Sequence, residues 1–102
     1  MQVPLLDLKA QYATIKEEIK QAVDSVLESQ HFIMGPQVKS LEEKVAKYTN
    51  TKHAIGCASG SDALLLSLMA MDIGPGDAVI TTPYTFFATA GAIARLGATT
   101  IF

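Results

Sequence analysis

Charge is divided unevenly along this chain, and the division limits what the second half can become. Residues 1–52 hold seven Lys and seven acidic side chains, whereas residues 53–102 hold only Asp62, Asp72, Asp77 and Arg95. A domain of roughly 100 residues has a radius of gyration of about 13 Å and leaves most residues in some contact with water, so charge is normally spread over its surface. Fifty residues with four charges therefore expect cover, from a partner subunit, from chain after Phe102, or from both. Over the whole length the formal charge is −2 and 49% of residues are apolar. That describes a soluble globular segment with no basic field for a nucleic-acid backbone or an anionic membrane surface. Cys57 is the single cysteine, which excludes an internal disulfide or CxxC site and suits a reducing cytoplasm; it reads as an inert buried thiol. The opening Met1-Gln2-Val3-Pro4 lacks the order of a signal peptide, and no apolar run reaches the length of a membrane span.

Periodicity organises the charged half into two helices. From Asp7 to Ser29, Tyr12, Ile15, Ile19, Val23, Val26 and Leu27 recur at three- and four-residue steps, with Asp7 placed to cap the helix. His31-Phe32-Ile33-Met34-Gly35-Pro36 is too short for a helix, and its Gly-Pro can end one element and start another. A second helix follows, with Val38, Leu41, Val45 and Tyr48 as its buried stripe and Lys39, Glu43 and Lys47 as an outer ladder.

From His53 onward, short apolar runs alternate with Gly, Pro, Ser and Thr, the pattern of an α/β protein. The expected order is a strand at 53–58, a helix at 61–71, a strand at 78–81, a helix at 85–96 and a strand at 99–102. Gly74-Pro75-Gly76-Asp77 reads as a turn and Gly97 as a C-terminal cap. Leu64, Leu65, Leu66, Leu68, Met69 and Met71 make helix 61–71 apolar nearly all round, so it should be buried on more than one side. A parallel sheet needs helices on both faces and neighbours at its edges. The chain is thus read as the N-terminal piece of a larger α/β protein, with a helical segment at 1–52 and an incomplete α/β domain at 53–102.

Two loops at strand ends could carry chemistry, since ligands of open α/β sheets bind at that edge. In Cys57-Ala58-Ser59-Gly60-Ser61-Asp62, the amides at a helix start favour an anion, and Gly60 allows close approach. The competing account is purely structural: Ser59 is an N-cap and Asp62 occupies the capping-box position. Asp62 also argues against phosphate unless its side chain turns away. In Thr81-Thr82-Pro83-Tyr84-Thr85-Phe86-Phe87, aromatic faces could hold a flat ring, or the three rings could be core. His31 and His53 lack a carboxylate or Cys pattern at metal spacing, so no metal site is expected.

Five segments, in order, resemble the DegT/DnrJ/StrS sugar aminotransferases: Asp7-Leu8-Lys9-x-Gln11; Phe32-Ile33-Met34-Gly35-Pro36; Gly56-Cys57-Ala58-Ser59-Gly60-Ser61-Asp62-Ala63-Leu64; Gly74-Pro75-Gly76-Asp77; and Val79-Ile80-Thr81-Thr82-Pro83-Tyr84-Thr85-Phe86. The resemblance covers essentially the whole chain and about the first quarter of such enzymes. It implies the N-terminal part of a fold type I large domain that uses pyridoxal phosphate (PLP) to move an amino group from glutamate or a similar donor to a nucleotide-linked keto-sugar, in a homodimer with active sites at the interface. By motif, Gly60, Ser61 and the Asp62 backbone would bind the cofactor phosphate, with the Ser61 hydroxyl as an added donor where the family often has Thr. Phe86 matches the aromatic that stacks on the pyridine ring, and Met34 and Gly35 would lie near the substrate, in this subunit's site or its neighbour's.

PLP chemistry also needs a lysine for the Schiff base and an acid at the ring nitrogen. None of the seven lysines, Lys9 to Lys52, stands in a context resembling the family's, and the acid belongs to a later strand. The 102 residues are therefore expected to hold no catalytic residue and to be inactive alone. Two other readings remain: a dehydratase of the same fold that uses the amine form of the cofactor, with His in place of the lysine, and a non-catalytic interaction or regulatory module.

Overall fold

The computed structural model describes residues 5–102, and the reading of residues 1–4 as lacking a signal peptide lies outside them. The chain divides into two units, Met1–Ala54 and Ile55–Phe102.

In the first unit, Asp7 starts helix α1 (Leu8–Ser29) as expected, its carboxylate accepting the Ala10 N–H at 2.9 Å. Gln30 ends the helix in the left-handed region, with φ 55°. Gly35 then precedes helix α2 (Pro36–Thr49), whose first residue is the proline that suits that position. Asn50 closes α2 at φ 54°, and Thr51 N–H reaches back to the Ala46 carbonyl at 2.9 Å. The ladder on α2 reduces to one contact of 4.0 Å, Lys39 Nζ to Glu43 Oε1. The apolar stripes are where periodicity puts them, but they are not buried. Tyr12, Ile15, Ile19, Val23 and Leu27 on α1 are exposed, as are Leu41, Val45 and Tyr48 on α2. The sequence pattern marks a face that wants cover, and residues 5–54 do not supply it.

The second unit contains α3 (Gly60–Met69), β1 (Ala78–Ile80), α4 (Ala88–Arg95) and β2 (Thr99–Ile101). The two strands are parallel, with Ala78 opposite Thr99, Val79 opposite Thr100 and Ile80 opposite Ile101. Helix α4 makes the crossover between them and packs on α3 and β2. Its Ala92 and Ile93 are the buried apolar residues of this unit. The strand expected at 53–58 does not form. A strand is held by a ladder, and β1 and β2 pair with each other and with no third strand among the described residues. Helix α4 begins three residues later than expected, because Thr85, Phe86 and Phe87 belong to the preceding turn. Helix α3 is not buried on several sides, since Leu64, Leu66 and Met69 remain exposed.

Gly74 to Asp77 form the expected turn, with Asp77 N–H on the Gly74 carbonyl at 3.1 Å and Gly76 at φ +98°. Pro at the second position and a positive φ at the third define type II geometry. The Asp77 carboxylate also accepts the Gly74 N–H at 2.9 Å. Gly97 ends α4 at φ +75°, where an added Cβ would stand 3.1 Å from Pro75 Cγ. Gly97→Ala should therefore cost about 1–2 kcal/mol, through both the strained φ and the crowded proline. Urea unfolding of the two proteins measures it.

Candidate functional site

The start of α3 is capped from within. Ser59 Oγ accepts the Asp62 N–H at 3.1 Å and donates its proton to Asp62 Oδ2 at 3.0 Å, while the Ser59 carbonyl takes the Ala63 N–H at 3.0 Å. The local structural account of Ser59 as N-cap is therefore correct. Of the three amides assigned to an anion, that of Asp62 is already engaged. Those of Gly60 and Ser61 meet no acceptor among the described residues, as is usual for the first turn of a helix. A Cβ built on Gly60 would find nothing within 4 Å, so the space beside its Cα is open. Free N–H groups, a helix dipole and open space together suit an anion.

The loop after β1 is shaped by short polar contacts. Tyr84 N–H donates to Thr82 Oγ1 at 3.2 Å, and the hydroxyls of Thr85 and Thr89 lie 3.1 Å apart. Gly91 lets the Phe87 ring lie against α4, where an added Cβ would be 3.1 Å from that ring. Tyr84, Phe86 and Phe87 are not core: Phe86 is 76% exposed. Ser61, Phe86, Phe87, Gly91 and Arg95 line one open hollow of about 300 Å³. The structure thus brings together Ser61 and Phe86, which sequence reasoning had assigned separately to a phosphate and to a ring.

Arg95 was not anticipated at this site. Its Nη1 lies 4.0 Å from Asp62 Oδ1. The available signal was composition, because Arg95 is the only cation in residues 53–102.

Met34 and Gly35 line a different hollow, of about 510 Å³, formed by residues 30–36 of the first unit. Met34 is exposed at φ 49°, and Gly35 is buried. Cys57, expected to be buried, is exposed, because the segment around it has no neighbouring strand to cover it; its thiol donates to the Ser59 carbonyl at 3.3 Å. Among the described residues no three His, Cys, Asp or Glu side chains converge to hold a metal, and no helix is long and apolar enough to cross a membrane.

Residues 13–102 match the model of the DegT/DnrJ/EryC1/StrS aminotransferase family. The chain belongs to this family. It is 54% identical over 102 residues, all of this chain, to a pleiotropic regulatory protein of Geobacillus stearothermophilus. It is 45% identical over 100 residues, 98% of its length, to a UDP-N-acetyl-3-dehydro-alpha-D-glucosamine 3-aminotransferase of Acidithiobacillus ferrooxidans. Among solved structures, that of S. venezuelae DesV in complex with a ketimine intermediate superposes with a TM-score of 0.93 at 42% identity over 98% of this chain. The chain spans 27% of the length of each of these three proteins. The helices and parallel sheet described above have the fold of the N-terminal part of these DegT-family α/β proteins.

Proposed function

We propose that this chain forms the N-terminal part of a PLP-dependent aminotransferase that moves an amino group from an amino acid, glutamate or a similar donor, to a nucleotide-linked keto-sugar. The observation that carries the reading is the hollow shared by Ser61 and Phe86, beside the two free amides of α3. The donor set fits PLP: two N–H groups and the Ser61 hydroxyl suit a phosphate, and an exposed aromatic face suits a flat ring. The name of the Acidithiobacillus relative supports an amino sugar as product, and the ketimine in DesV supports transfer through an amine-bearing cofactor.

When bound, PLP would supply an aldehyde carbon that accepts the amino group and a protonated ring that withdraws electrons. Gly60 and Ser61 would hold the phosphate through their amides, with the Ser61 hydroxyl as a further donor. Phe86 would lie against the ring and fix its plane. Asp62 would act through its place in the cap, its own N–H being bonded to Ser59. Met34 and Gly35 would border the sugar in a site at a homodimer interface, and the exposed apolar face of α1 is suited to cover by a partner or by further chain. The medium would be the cytoplasm.

Residues 53–102 contain no lysine, so the unit that carries Ser61 and Phe86 offers no side-chain amine for the cofactor aldehyde. The 102 residues alone should be inactive: mixed with PLP and gel-filtered, they should retain no lysine-linked absorbance band. A band that persists would contradict this. The full-length protein should convert a UDP- or dTDP-linked keto-sugar to its amino sugar with glutamate as donor, and the product is read by mass spectrometry. A regulatory role, as named for the Geobacillus relative, is the second reading. A full-length protein that binds PLP but transfers no amino group to any such sugar would favour it.

A further inference from the structure

A carboxylate beside a phosphate is repulsive, and Asp62 follows directly on the two free amides of α3. In this structure its charge is restrained from two sides. Oδ2 accepts the Ser59 hydroxyl at 3.0 Å, and Oδ1 faces Arg95 Nη1 at 4.0 Å. Arg95 comes from the last turn of α4, the helix that packs on α3, and it lines the same hollow as Ser61 and Phe86. The two side chains are 61% and 37% exposed, and an ion pair this open contributes little to stability. It can still act on a nearby anion, because an uncompensated carboxylate repels each charge of a dianion.

We propose that Arg95 is a positioning residue for the anion site: it draws the Asp62 carboxylate toward α4 and offsets its charge, so that the amides of Gly60 and Ser61 can take a phosphate. This rests on the cofactor reading above, applied to the phosphate end of PLP.

The test uses the full-length apoprotein and two probes, PLP and pyridoxal, which differ only in the phosphate. Arg95→Gln should weaken PLP about fivefold, since Asp62 is left unopposed. Arg95→Lys, which keeps the charge, should restore most of the affinity, and Arg95→Gln combined with Asp62→Asn should return it to near the starting value. Asp62→Asn alone should leave PLP affinity equal or improved. Pyridoxal affinity should change little in any of the four, which separates a charge effect from damage to the fold. Equal losses for PLP and pyridoxal, or a double variant no better than Arg95→Gln, would overturn the role of Arg95 while leaving the cofactor site standing. A parent protein that binds neither probe would overturn both.

Discussion

Gly35→Ala should lower stability by about 2 kcal/mol, the largest structural effect expected from a single methyl group in this chain. A Cβ at Gly35 would collide with the His31 carbonyl oxygen and stand 3.4 Å from its carbonyl carbon. Both atoms are backbone, so no side chain can swing aside. The φ of Gly35 is −68°, which alanine adopts freely, so the cost is steric and not conformational. Relief is blocked on both sides. Pro36 fixes the first turn of α2, and Met34 is already held at φ 49°. Gly60→Ala is the control, because its Cβ meets nothing within 4 Å and alanine is the better helix former. Urea unfolding should show a lower midpoint for Gly35→Ala and an equal or higher one for Gly60→Ala. Equal midpoints for Gly35→Ala and the parent would show that the 31–36 loop yields easily.

Gly60→Asp should separate folding from ligand binding. An acidic residue in the first helical turn interacts favourably with the helix dipole, and the open space at Gly60 accepts the side chain. Stability should hold or rise slightly. The new carboxylate, however, stands where a phosphate would sit, and two charges of a dianion repel it at a few ångströms. A penalty of about 2 kcal/mol corresponds to roughly a thirtyfold loss of PLP affinity in the full-length protein. Fluorescence titration of the apoprotein measures the affinity, and circular dichroism checks the helix. Unchanged PLP affinity would mean that the phosphate lies away from the start of α3.

The features legible in the sequence were those set by neighbours along the chain. Asp7 and Ser59 cap helices because their side chains reach amides three residues on. Gly76 and Gly97 take positive φ where a turn and a helix end require it. The period of Ile15, Ile19 and Val23 gave α1 its length. Features that depend on distant partners were read less well. His53 to Ala58 has strand composition but no ladder partner among the described residues, and the exposure of Cys57 follows from that. The apolar surfaces of α2 and α3 were expected to be buried and are open, because a periodic stripe specifies a face and not what covers it. At the site, the motif placed Ser61 and Phe86, which the structure gathers on one hollow. The link from Arg95 to Asp62 runs between two packed helices and leaves no spacing pattern in the sequence.

The central claim is that the start of α3 and the Phe86 loop form the phosphate and ring halves of one PLP site. A crystal structure of the full-length protein with PLP tests it directly. Phosphate oxygens should lie about 2.7–3.2 Å from the amide nitrogens of Gly60 and Ser61, with the Phe86 ring against the pyridine. A complex in which the phosphate is held elsewhere, with these amides facing only water, would contradict it.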